Sequence, residues 1–195
     1  MTSPVERLES LAYDFGVRDL CSIVLKDYRF SVWSGSSKPL QHHYGKGGLA
    51  KHTLEVAELC LLNNKYLPTN EQVNPCQLFI AAVFHDAGKM WDYQQPNAEC
   101  QDWTSTAHKR HIHHISRSAL VWYESCILNS HLKLSEEYIN DILHAILAHH
   151  GRREFGSPVA PNTRLAWMLH LCDGISARMN DAEKWDRIKD THESS

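Results

Sequence analysis

Apolar residues recur at intervals of three and four along most of the chain, the spacing of amphipathic helices. Leu49, Val56, Leu59 and Cys60 share one face of a helix over 49–62. Ile139, Ile142, Leu143, Ile146 and Leu147 form the inner face of another, which Ser135 caps and which runs to His150. Glu136 and Glu137 suit its first turn, where the helix dipole favours negative charge. Residues 3–28 read as two helices broken near Gly16. Asn74 as N-cap and Pro75 at the first helical position open a helix to about Ala87, with Gly88 suited to its C-cap. A further helix covers about 106–129. Asn162 or Thr163 opens the last one, which contains "LAWMLHLCDGISARM". Residues 29–48, 92–105 and 151–162 are loop-like in composition. No segment alternates with period two, so the expected fold is all-α.

Composition adds bounds rather than detail. A length of 195 residues suits one domain over 1–195, and residues 184–195 read as a loose charged tail. Hydrophobic residues make up 43% and charged residues 22%, ordinary values for a globular protein. The net charge of -3 offers no general field for a polyanion. No apolar run approaches the ~20 residues of a membrane span, and no signal peptide opens the chain. Six cysteines include no C-x-x-C pair. A cytoplasmic, reducing location is expected. The outlying number is histidine: 14, against 7 tyrosines.

Several of these histidines interrupt apolar faces, and two aspartates accompany them. His52 points with Leu49, Val56 and Leu59. His85 and Asp86 end the apolar run "AAVF". His150 continues the inner face of its helix and His149 borders it. Asp173 lies four residues after Leu169, within an apolar stripe. A single inward histidine is ordinarily a hydrogen-bonded core residue, and a lone carboxylate is ordinarily solvated. Together, His52, His85, Asp86, His114, His149 or His150, and Asp173 sit on five predicted helices, each on or beside an apolar face. Packing those helices could bring them to one point, where a cation would offset the buried carboxylates.

The order His … His-Asp … His … His-His … Asp resembles the HD-domain superfamily of metal-dependent phosphohydrolases. It is carried here by "GGLAKHT", "FHDAGK", "HHIS", "LAHHG" and "LCDG". The motif core spans about 42–180. The nearest likeness is to the HD domains of bacterial 3′→5′ exoribonucleases, through "HHYGKGGLAKHT" and "HHGRREFGSPVAPNT". Those enzymes carry a nucleic-acid-binding β-barrel before the HD domain, where this chain has only about 28 residues of helix. As a stand-alone domain it also resembles HD phosphohydrolases of nucleoside-antibiotic biosynthesis.

The resemblance implies a helical bundle holding a metal between its core helices, with His52, His85, Asp86 and Asp173 as ligands. A mixed imidazole and carboxylate set suits Co, Mn, Fe or Ni, and more weakly Mg. His114, His149 and His150 match positions that hold a second metal in some members and touch phosphate in others. Asp86 is the candidate to orient or deprotonate the attacking water, with His114 assisting. Lys89 and Arg117 are candidates for contacting phosphate, although Lys89 equally suits a helix C-terminus. His111 and Arg152 are further substrate-contact candidates. Of the crowded His108, His111 and His113, at most one or two can face the metal. Trp33, Trp91 or Tyr93 could stack on a base, though packing is their commoner use. The implied activity is removal of phosphate from nucleoside or nucleoside-analogue mono-, di- and triphosphates, on a small-molecule substrate, with no membrane association and no stable nucleic-acid binding. The alternatives are a 3′→5′ exoribonuclease or cyclic-nucleotide phosphodiesterase, and a non-enzymatic HD ligand sensor.

Overall fold

The computed structural model describes residues 2–36, 38–39 and 41–179; the proposed loose tail lies outside them. Among the described residues the chain forms ten α-helices and one pair of two-residue strands. α1 (Pro4–Asp14) opens on a capping box, with Ser3 and Glu6 each satisfying the other's backbone N–H. Gly16, at φ +68°, turns the chain into α2 (Arg18–Leu25). α3 (Tyr28–Val32) occupies the start of a stretch expected to be loop, because the Asp27 side chain caps it by accepting from Arg29 N. α4 spans Gly48–Tyr66 and α5 spans Pro75–Phe84, the latter capped by Asn74.

α5 is the centre of the molecule. It packs against α2, α4, α8, α9 and α10. Every residue from Leu78 to Phe84 is buried, which is why the segment is apolar all round rather than striped. α6 (Lys89–Asp92) follows, then β1 (Tyr93–Gln94), which pairs antiparallel with β2 (Thr104–Ser105) inside the expected polar loop. These two short strands leave the architecture all-α.

The expected helix over 106–129 is two helices, α7 (Ala107–His111) and α8 (His114–Leu128). The break is His113, at φ +69°. Its physical reason lies at distance: the carboxylate of Asp92 accepts from the backbone N of His114, 3.1 Å away, and so caps α8 from another segment. α9 (Glu136–Ala148) is capped by Ser135, as expected. α10 (Arg164–Met179) starts where the Thr163 hydroxyl accepts from Ala166 N.

Gly88 corrects the reading of it as a C-cap. α5 ends at Phe84, and Gly88 has right-handed φ -62° at the start of α6. A side chain there would drive its Cβ into His114 O. The glycine is required by the close approach of α8, not by a turn.

Candidate metal centre

Four helices and one connecting turn deliver the expected side chains to one place. His52 comes from α4, His85 and Asp86 from the turn after α5, His114 from the first residue of α8, His149 and His150 from the end of α9, and Asp173 from α10. The Nε2 atoms of His52 and His85 lie 3.2 Å apart, and Asp173 Oδ1 is 3.1 Å from His52 Nε2. On the other side, the Nε2 atoms of His114 and His150 are 3.4 Å apart. Asp86 stands between the two groups. Its Oδ2 is 3.3 Å from His52 and 3.4 Å from His85, while its Oδ1 is 3.5 Å from His114 and 3.7 Å from His149.

The protons of these imidazoles can be assigned from their partners. His85 Nδ1 donates to Ala82 O at 2.6 Å, and His149 Nδ1 donates to Ile146 O at 2.7 Å. His150 Nδ1 donates to Phe155 O at 2.6 Å. His114 Nδ1 donates to Asp92 Oδ2 at 3.1 Å. Carbonyls and carboxylates only accept, so each Nδ1 carries the hydrogen and each Nε2 presents a lone pair inward. The lone pairs of His114 and His150, facing one another across 3.4 Å, repel unless something positive lies between them.

Charge tells the same story. Burial pushes His114 down to about 4 and His150 down to about 3, so both are neutral donors at ordinary pH. Burial also opposes a charge on His52, but Asp173 and Asp86 outweigh it and raise His52 to about 9. Asp86, despite complete burial, is held well below the usual carboxylate range by Lys89 and His85. Asp86 Oδ1 and His149 Nε2 are buried with no hydrogen-bond partner. Two orphaned acceptors facing one point, in a donor set of imidazole nitrogens and carboxylate oxygens without thiolate, fit divalent metal.

Two groups can each converge on a cation, His52–His85–Asp173 and His114–His149–His150, with ligand atoms within 4.8 Å of one another. A third combination, Asp92–His113–His114, has the same spacing. There the carboxylate is already engaged: Oδ2 by His114 and Oδ1 by His108 Nδ1 at 2.8 Å. Asp92 is thus a buttress that orients His114 rather than a ligand.

The other expected site residues are placed unevenly. Lys89 does not swing outward after a helix end. It is buried, its Nζ 2.6 Å from Asp86 Oδ2 and donating to Gly35 O at 2.9 Å. Arg117 donates from Nε to His108 Nε2 at 3.1 Å and lies over the Trp91 ring, so it braces the Asp92 network. His111 and Arg152 are exposed and outside the metal-binding groups. The guanidinium groups of Arg29 and Arg117 both lie over the Trp91 ring, and Trp33 packs edge-on against Trp103. Sequence reasoning missed Asp92, Glu55 and Ser176. Glu55 and Ser176 had a readable signal, each three residues from a ligand on its own helix, at 52 and 173. Asp92 had none, because it follows a turn and belongs to no periodic face.

Comparison with known proteins names the arrangement. The family model described as the HD domain matches residues 49–178. The chain belongs to the HD-domain family. Its His-Asp pair is His85–Asp86, and metal binding is the family chemistry that the clustered histidines and aspartates can serve. Among curated relatives, the 3′-5′ exoribonuclease YhaM of Oceanobacillus iheyensis is 26% identical over 84% of this chain and 49% of its own length. The YhaM of Listeria welshimeri is 29% identical over 83% of this chain and 48% of its own. The chain therefore spans about half the length of these relatives. No solved structure matches this HD domain. No described helix is long and apolar enough to cross a membrane, and all six cysteines are free thiols.

Proposed function

We propose that this HD domain is a metal-dependent phosphohydrolase that cleaves phosphate esters and anhydrides of nucleotides. The observation that supports it most is Asp86, whose two oxygens face two separate histidine groups. His52, His85, Asp86 and Asp173 would hold one divalent cation. His114, His149 and His150 would hold a second, or receive a phosphate oxygen. Such a cation, when bound, makes water nucleophilic near neutral pH and offsets phosphate charge.

The chain's own groups do the rest. Lys89 balances the Asp86 carboxylate and ties it to Gly35 O, so the Asp86 oxygens stay fixed. Its ammonium also adds positive potential where a phosphate would arrive. Asp92 keeps the hydrogen of His114 on Nδ1, away from the reacting side. His85 and His149 are fully buried, whereas Asp173 and His150 are partly exposed and mark the side open to substrate. Asp86, kept ionised by Lys89 and His85 despite its burial, would help hold the cation and orient or deprotonate the attacking water.

A second reading, stepwise removal of nucleotides from the 3′ end of RNA, is favoured by the name of the relatives. One experiment tests both. The metal-stripped protein is reloaded with Mn, Co, Ni or Mg and given nucleoside mono-, di- and triphosphates and a 5′-labelled short RNA. Release of inorganic phosphate from the mononucleotides supports the first reading. A ladder of shortened RNA with released monophosphates supports the second. No turnover with any metal would overturn both.

A further inference from the structure

One ligand is oriented by residues outside the metal-binding groups. His52 Nδ1 lies 3.1 Å from Ser176 Oγ, and Ser176 Oγ donates to Glu55 Oε2 at 3.1 Å. The directions follow from counting hydrogens. Glu55 is ionised and only accepts, so the one hydroxyl hydrogen of Ser176 points to it. The Ser176 oxygen must then accept from His52 Nδ1–H. That bond leaves Nε2 of His52, which faces Asp173, Asp86 and His85, as the nitrogen available to a metal. Ser176 and His52 are both buried, and among the described residues no backbone carbonyl serves His52 as one serves His85, His149 and His150. The same Glu55 oxygen accepts from His43 Nε2 at 2.8 Å, which ties His43 to this carboxylate.

We propose that Glu55 is a positioning residue for His52, acting through the hydroxyl of Ser176. The carboxylate holds the serine hydrogen, the serine oxygen holds the imidazole hydrogen, and the imidazole is kept in the one tautomer and ring orientation that can bind metal from this side. An anion two bonds behind the ring also makes Nε2 a stronger donor. His114 obtains the same support directly from Asp92, so each histidine group contains one carboxylate-backed ring. The inference deepens the metal-centre reading and rests on it.

The test uses calorimetric titration of Co²⁺ into the metal-stripped full chain, with the Co²⁺ visible spectrum and the melting temperature recorded alongside. Ser176→Ala and Glu55→Ala should each weaken Co²⁺ binding roughly 10- to 100-fold. Ser176→Thr, which keeps the hydroxyl, should restore most of the loss. The double variant should bind no more weakly than Ser176→Ala alone, because both act through one bond. Should Ser176→Ala fail to fold, the half-exposed Glu55→Ala carries the comparison with wild type. Wild-type affinity in a folded Ser176→Ala or Glu55→Ala variant would overturn the proposal, as would a further loss on adding Glu55→Ala to Ser176→Ala. Loss of melting temperature alone, with affinity unchanged, would reduce the pair to a structural role. No Co²⁺ uptake by wild type would overturn the metal-centre reading as well, whereas normal uptake by wild type and variants alike would overturn this inference alone.

Discussion

At the scale of single residues, the centre depends on which nitrogen of each histidine carries hydrogen. Backbone carbonyls settle this for His85, His149 and His150, and carboxylates settle it for His114 and, through Ser176, for His52. Asp173 is the one ligand candidate from α10, and its oxygen closes the His52–His85 group. In Asp173→Ala, bound metal measured by plasma mass spectrometry should fall about 10-fold or more while helical circular dichroism is kept. Undiminished metal in the folded variant would contradict the ligand assignment. Glu55 gives a pH prediction away from the ligands themselves. Partial burial opposes its charge, yet the bonds from His43 and Ser176 hold it at about 2. Burial keeps His43 itself neutral at ordinary pH, so their contact is a hydrogen bond to a carboxylate rather than an ion pair. A carboxylate whose folded value lies below its unfolded value (~4.3) stabilises the fold above that unfolded value. The contribution is lost as pH falls toward the folded value. The difference in melting temperature between wild type and Glu55→Gln should therefore shrink from about pH 5 to about pH 2. A difference independent of pH would refute it.

At the scale of elements, caps and periodicity explain what was legible, and long-range bonds explain what was not. Asn74, Ser135 and Thr163 start α5, α9 and α10 where short polar side chains precede apolar faces. Asn74→Ala should cost about 1 kcal/mol in urea denaturation. The break between α7 and α8 could not be read locally, since "HKRHIHHIS" offers no glycine or proline. It exists because Asp92, some twenty residues earlier, captures the N–H and ring of His114. Gly88 is misleading for the same reason: its neighbour is α8, not its own helix. Gly88→Ala puts a methyl group against that backbone and should cost ~1–3 kcal/mol, as overpacking does. An unchanged denaturation midpoint would mean that α8 does not sit where the structure has it.

At the scale of the whole molecule, the apolar α5 at the centre lets the surrounding helices bring polar residues to one end without opening the core. That arrangement gathers two ionised aspartates and a lysine where a folded protein can hold them only as a balanced set. Cation binding should therefore couple to global stability. At a metal concentration 100-fold above its dissociation constant, the fold should gain about 2.7 kcal/mol. A rise in melting temperature with Mn or Co, reversed by a chelator, checks this. A melting temperature indifferent to both would speak against a metal held by the folded core.

The chain by itself determined the helical class and most helix starts, and it pointed to His52, His85, Asp86, His114, His149 or His150, and Asp173 as residues on or beside apolar faces, because periodicity and capping are local and act within a few residues. Only the tertiary structure decided that Asp86 stands between two histidine groups, that Lys89 turns inward to it, and that Asp92, Glu55 and Ser176 aim the rings. Those relations join residues dozens of positions apart. They are set by how close α4, α8, α9 and α10 pack around α5, and no local spacing encodes that distance.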